Sequence, residues 1–348
     1  MASPQCLAHG CALIKEANMP GIHHVTAIAG DPLENLSFYA RDLGLRFVKK
    51  TVNFDDPSTY HFYYGDEIGR PGTILTFFPW TNAQAGQRGV GETRQIAFRV
   101  PQRSIGYWTE RFIEKGIPYQ TLEKRFGESV LAFTDQDETA LALVGVADAE
   151  NVPGWSNDDI PSEHAIRGLH GVTLLLHSAE KTAAILTDVF GFREVAREGS
   201  VIRFAAAGDV KGSVVNIYEA AGVLRGHQGR GSVHHIAFRA ADDVQQAQMT
   251  EKLIRTHGRH PTEQKDRKYF RSIYFREPGG VLFEIATDIP GFSVDEPVEA
   301  LGRDLELPNF LEPRRKEIER GLPVLENAGV VTSKMIKRFV PAKGTASR

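Results

Sequence analysis

Apolar residues in this chain fall into strand-length runs, and each set of runs is opened by one strand and one amphipathic stretch. The first set begins with GIHHVT (21–26), passes through LSFYARDLGLRFV (36–48), and continues as HFYYGD (61–66) and GTILTFFP (72–79). TRQIAFRV (93–100) opens a second set, followed by SVLAFTD (129–135) and ALALVGV (140–146). GLHGVT (168–173) and AAILTDVFGFREV (183–195) open a third, followed by VIRFAAA (201–207) and GSVVNIYEA (212–220). VHHIAFRA (233–240) opens a fourth, followed by RSIYFRE (271–277) and GVLFEIATD (280–288). Alternating or short continuous apolar runs predict strands, and a 3.6-residue apolar period predicts a helix. The first and third helices each end at a glycine that leads into a strand, the usual helix stop. The repeating unit is therefore β-α-β-β with a third strand, roughly 55–70 residues long and used four times.

This organisation divides the chain. Residues 19–147 hold the first pair of units and residues 166–290 the second pair. The stretch DAENVPGWSNDDIPSEHA (148–165), rich in Pro, Gly, Asn and Asp, is the expected linker. Residues 291–348 form a C-terminal extension with one short helix near 312–320. Residues 1–18 read as a loose tail, or as a misassigned start with Met19 as the true first residue. Of 348 residues 41% are apolar and 24% charged, with a net charge of −3, which gives no electrostatic footprint for nucleic acid. The longest apolar runs, such as 172–176, fall far short of the ~20 residues of a membrane span. Both cysteines, Cys6 and Cys11, lie in the first 18 residues and cannot staple the fold, so a cytoplasmic setting is expected.

Four repeats let one sequence serve as its own comparison. In the opening strand, the column of His24 holds Gln95, Gly171 and His235. In the last strand, four places after its glycine, stand Thr76, Asn216 and Glu284; the second unit lacks that glycine, and its LAL stretch puts Leu143 there. The repeat needs no His or Glu in these columns, since half the units do without. A lone strand histidine is commonly structural, and Glu284, inside the apolar run VLFEIA, has Arg203 or Arg276 as conceivable ion-pair partners. Taken together the three make a different case. A buried carboxylate is costly unless paired or bound to a metal. Two imidazoles and one carboxylate are the ligand set of a divalent iron site with open positions, and zinc or manganese accepts the same atoms.

These residues resemble the vicinal oxygen chelate superfamily, which includes glyoxalases, extradiol dioxygenases and antibiotic-resistance proteins. The closer resemblance is to ring-cleaving dioxygenases of the chlorohydroquinone and alkylhydroquinone 1,2-dioxygenase type. It is carried by residues 21–66, by GSVHHIAFR (231–239) and by YFRSIYFREPGGVLFEIATD (269–288), and spans about residues 20–325. It implies an α+β fold in which four βαβββ units form two cupped, barrel-like mixed sheets. It also implies metal ligands His24, His235 and Glu284, with Fe(II) or Mn(II) as cofactor. His23, Thr26, His234, Arg267 and Tyr274 match the family's catalytic or supporting positions. His170, one place off the ligand column, is expected to be structural or supporting. The implied substrates are a small aromatic diol and O2, both oxygen atoms entering the ring-opened product, in the degradation of aromatic compounds.

The pattern holds one difficulty. His23 and His234 each precede a ligand, so an ideal strand points them to the opposite face; a bulge near residues 231–232 is one way to relieve this. Two other functions are compatible with the fold. A glyoxalase-like isomerase or lyase would need a fourth ligand near Thr76, and a metal-free binding protein would not need the three residues together. Four units can close their own sheets, so a monomer or a homo-oligomer is expected.

Overall fold

The computed structural model describes residues 21–157, 159–208 and 211–325, so the expectation for residues 1–18 and the end of the extension lie outside the described residues. The four units have the predicted order. Unit one contains β1 (Ile22–Ala29), β2 (Arg46–Asn53), β3 (Asp56–Gly65) and β4 (Ile74–Pro79). Unit two contains β5 (Glu92–Pro101), β6 (Glu123–Arg125), β7 (Glu128–Thr134) and β8 (Ala140–Val146). Unit three contains β9 (Leu169–Leu176), β10 (Phe192–Glu198), β11 (Val201–Ala206) and β12 (Val214–Glu219). Unit four contains β13 (Val233–Ala240), β14 (Lys265–Asp266), β15 (Arg271–Arg276) and β16 (Leu282–Thr287). A helix follows each opening strand; in unit one it begins at Pro32, with the Asp31 side chain accepting from the backbone N–H groups of Leu33 and Glu34. Gly44 and Gly191, at φ +70° and +71°, end the first and third helices as the sequence predicts.

The sheets do not follow the two halves of the chain. Units one and four make one eight-stranded mixed sheet, ordered β14-β15-β16-β13-β1-β4-β3-β2, and units two and three make the other, β10-β11-β12-β9-β5-β8-β7-β6. Each sheet is joined at its centre by two opening strands running antiparallel, β1 with β13 and β5 with β9. The connections between units one and two and between units three and four run antiparallel side by side, Gln87 and His227 exchanging backbone hydrogen bonds, and a Cβ on Gly89 would lie 2.4 Å from the backbone N of Gly226. A continuous core of aliphatic and aromatic residues fills the space between sheets and helices, with Tyr39, Trp108, Phe112 and Phe238 among its fully buried members.

The extension lies on unit one. Its short helix, Arg315–Gly321, buries Ile318, and the Tyr60 hydroxyl of β3 donates to the Pro323 carbonyl. Lys49 of β2 is fully buried and bonds Asp295 at 2.6 Å and Glu296. No helix among the described residues is long and apolar enough to cross a membrane.

Candidate metal centre

The central pairing of β1 with β13 builds the site. His24 faces Ala237 and Thr26 faces His235, a register with a local twofold, so the two histidines project from equivalent places. β16 runs parallel to β13 and sets Glu284 beside Ala237. The result brings together His24 Nε2, His235 Nε2 and Glu284 Oε2. The two nitrogens are 3.3 Å apart, and they lie 3.3 and 2.9 Å from the carboxylate oxygen. All three side chains are buried. The conceivable arginine partners are elsewhere: Arg203 bonds Glu128 in the other sheet, and Arg276 donates to the Gly280 carbonyl.

Electrostatics favour the ligating forms. Burial pushes the Glu284 carboxyl up, but the facing imidazoles of His24 and His235 more than offset this and hold it well below the usual range. Burial likewise lowers His235. Glu284 Oε1 accepts from the Ser272 hydroxyl at 2.5 Å, whereas Oε2 is buried with no hydrogen-bond partner among the described residues. An orphaned anionic oxygen beside two imidazole nitrogens is the donor set that a divalent cation satisfies.

His23 and His234 resolve the facing problem in one way. Each is the extra residue of a bulge: β1 gains His23 between its pairings to Phe238 and Ala237, and β13 gains His234 between its pairings to Thr26 and Ala27. The bulge of unit four is thus at His234 itself, not at residues 231–232. Each bulged histidine sets its Nδ1 against the Nδ1 of the next one, at 2.9 Å for His23–His24 and 2.8 Å for His234–His235. That contact fixes the ring and turns Nε2 toward the centre. The same bulge recurs at Arg94 and His170 in the other sheet, where His170 bonds Glu128 at 3.0 Å.

A cavity of about 340 Å³ opens onto His24 and His235. Phe78, Trp80, Phe270 and Leu282 give it apolar walls, and His61, Tyr63, His234, Arg267 and Tyr274 give it polar ones. Tyr274 pairs with Glu284 across β15–β16, and burial holds its hydroxyl protonated. Arg267 donates to the Tyr274 hydroxyl at 3.2 Å and pairs with Asp55, at the tip of the β2–β3 hairpin, at 2.8 Å. Burial brings His234 down to about 3, so it is neutral, with its Nδ1 engaged by His235. Thr26 and His23 stand behind the cavity: Thr26 Oγ1 bonds Thr76 Oγ1 at 2.7 Å. The sequence does not single out His61 and Tyr63. A signal for Tyr63 exists, because it pairs with Thr76 as Tyr274 pairs with Glu284.

The other sheet shows what the same columns look like without this chemistry. Gly171 stands where a Cβ would meet the Val214 carbonyl oxygen at 1.9 Å, so no side chain fits in that ligand position. Asn216 accepts from Arg203 at 3.1 Å and Gln95 from Arg125 at 2.7 Å. One column assignment needs correction. Ala97 pairs with Ala142, as Ala237 pairs with Glu284, so the second unit's last-strand column holds Ala142 and not Leu143. Without the glycine, the turn before β8 enters the strand one residue earlier than counting suggests.

A family model described as "Glyoxalase/Bleomycin resistance protein/Dioxygenase superfamily" matches residues 21–143 and 168–285. A Bacillus subtilis protein named "Putative ring-cleaving dioxygenase MhqO" is 45% identical over 302 residues, covering 87% of this chain and 95% of that protein. The chlorohydroquinone/hydroquinone 1,2-dioxygenase of Sphingobium indicum is 32% identical over 311 residues, covering 86% and 95%. The crystal structure of a "putative dioxygenase" from Bacillus subtilis superposes with a TM-score of 0.83 at 44% identity, covering 88% of this chain and 97% of that one.

Proposed function

The chain belongs to the glyoxalase/bleomycin resistance protein/dioxygenase superfamily, and on that premise we propose that it is a metal-dependent dioxygenase that opens hydroquinone-type aromatic diols with O2. The observation that carries this reading is the convergence of His24 Nε2, His235 Nε2 and Glu284 Oε2 beside an aromatic-lined cavity that both histidines line. The relatives' names support the reaction class, and one of them names hydroquinones. A divalent iron, or manganese, held by these three residues supplies the redox chemistry with O2.

The chain's own residues do the rest. Phe270 and Phe78 hold the flat ring of the substrate, and the cavity falls within the roughly 300–1,000 Å³ of small-ligand sites. Neutral His234 takes the His235 Nδ1–H on its own Nδ1, so it offers its Nε2–H to a bound hydroxyl oxygen. Tyr274, kept protonated, donates a hydrogen bond to a bound oxygen, and Arg267 holds anionic substrate or product. His23 keeps the His24 ring in place from behind, and Thr26 supports the site through Thr76.

Anaerobic loading with Fe(II), followed by oxygen uptake with hydroquinone, chlorohydroquinone, methylhydroquinone and catechol in turn, tests the reading. Uptake matched to a product heavier by two oxygen atoms is expected with at least one hydroquinone. No uptake from demonstrably metal-loaded protein would overturn the dioxygenase assignment in favour of an isomerase or lyase. In the same assay Arg267→Met is expected to raise KM roughly 10–100-fold, the worth of a charge-assisted hydrogen bond, with a smaller effect on kcat. An unchanged KM would remove Arg267 from substrate binding.

A further inference from the structure

The local twofold that relates His24 to His235 also carries Glu284 onto Thr76. Glu284 lies beside Ala237 on β16 and opposite Tyr274 on β15; Thr76 lies beside Thr26 on β4 and opposite Tyr63 on β3. In both units the residue two places before that tyrosine bonds the column: Ser272 bonds Glu284, and His61 Nε2 bonds Thr76 Oγ1 at 2.9 Å. A site with full twofold symmetry would have a fourth oxygen ligand at position 76. Threonine is too short to act as glutamate does, and its hydroxyl is already engaged on two sides, by Thr26 and by His61.

His61 is itself held in place. Its Nδ1 bonds the Tyr63 hydroxyl at 2.9 Å, and its ring lies against Tyr63 and Phe78 with centroids 4.1 and 4.3 Å away. Where unit four has the small Ser272, leaving room for a glutamate in the next strand, unit one has an imidazole that fills the equivalent space and lines the cavity. Burial and the neighbouring His235 and His24 keep it well below its usual range, so it adds no charge to the metal's surroundings.

We propose that Thr76, pinned by Thr26 and His61, keeps a fourth coordination position open to small molecules, and that His61 is the positioning residue that excludes a longer ligand from it. This rests on the metal-site reading above. In a six-coordinate divalent site, three protein ligands leave three positions for substrate, O2 and water, and four leave two.

The test uses the full chain and Mn(II) alone, followed by titration and by the water-proton relaxation of the bound ion. Failure of the unaltered chain to bind Mn(II) would sink the metal-site reading itself. Given binding, the double variant His61→Ser with Thr76→Glu, which copies the arrangement of unit four, is expected to lose about one-third of the relaxation enhancement per bound ion. It is also expected to bind Mn(II) about 10-fold or more tightly. Thr76→Glu alone, with His61 still in the way, is expected to show neither change in full, and His61→Ser alone should match the unaltered chain. A folded double variant with unaltered relaxation would show that position 76 does not face the metal. A full change in Thr76→Glu alone would show that His61 excludes nothing. If the double variant fails to fold, Thr76→Asp with His61→Ser is read by the same two criteria.

Discussion

Glu284→Gln is expected to fold, to lose all ring cleavage and to bind Fe(II) or Mn(II) more than about 100-fold less tightly, beyond what loss of a merely supporting partner costs. The amide keeps the shape of the side chain and can still accept from Ser272, which now bonds Oε1 at 2.5 Å. It removes the anion whose second oxygen has no hydrogen-bond partner among the described residues. In the metal-free protein that substitution removes a carboxylate that the two imidazoles hold ionised, so the melting temperature should hold or fall. The discriminating measurement is the shift on adding metal. A ligand at about 1,000 times its Kd stabilises a protein by about 4 kcal/mol, and one at about 10 times its Kd by about 1.4 kcal/mol, so Glu284→Gln should keep at most about a third of the metal-induced shift of the unaltered chain. A variant that keeps the full shift of the unaltered chain would place the metal elsewhere and remove the site assignment.

The repeat explains why so much of the site is legible in the sequence alone. Four copies make columns, and a residue type that fills a column in only some copies, as His24, His235 and Glu284 do, has to be explained by something other than folding. What the columns do not hold is strand geometry. A two-residue period turns His23 and His234 away from the site because it assumes a flat ladder; each of them sits in a bulge, where that period fails. The irregular turn entry before β8 likewise puts Ala142, and not Leu143, in the last-strand column. The pairing of unit one with unit four is not visible in the chain's halves, because the antiparallel contact of β1 with β13 joins segments about two hundred residues apart; the resemblance implies it, through a ligand set drawn from the first and fourth units. His61 escapes notice because its counterpart is a serine: a column with unlike residues carries no signal until the hydrogen bonds to Thr76 and Glu284 are seen to be equivalent.

Lys49→Met is expected to destabilise the protein by about 3–5 kcal/mol, the range for removing one partner of a buried pair. Lys49 is fully buried in β2, and its ammonium bonds Asp295 and Glu296 of the extension. Asp295 retains Lys268 at 2.6 Å and the Tyr269 hydroxyl at 3.0 Å. Glu296, 5% exposed and with Oε1 already lacking a partner among the described residues, retains only a long contact from the Gly302 backbone at 3.4 Å. The stranded charge therefore falls mainly on Glu296, and adding Glu296→Gln to Lys49→Met should recover part of the loss. Chemical denaturation of the two single variants and the double one measures the coupling, and strictly additive losses would mean that the pair does not act as a unit. The consequence reaches the site through the hairpin that the extension covers. β2 leads directly to Asn53, Phe54 and Asp55 at the cavity mouth, and Phe54 packs on Phe310 of the extension with ring centroids 6.2 Å apart. Loosening this support frees Asp55 from Arg267, so KM should rise in Lys49→Met while metal affinity, set on β1, β13 and β16, stays as it was.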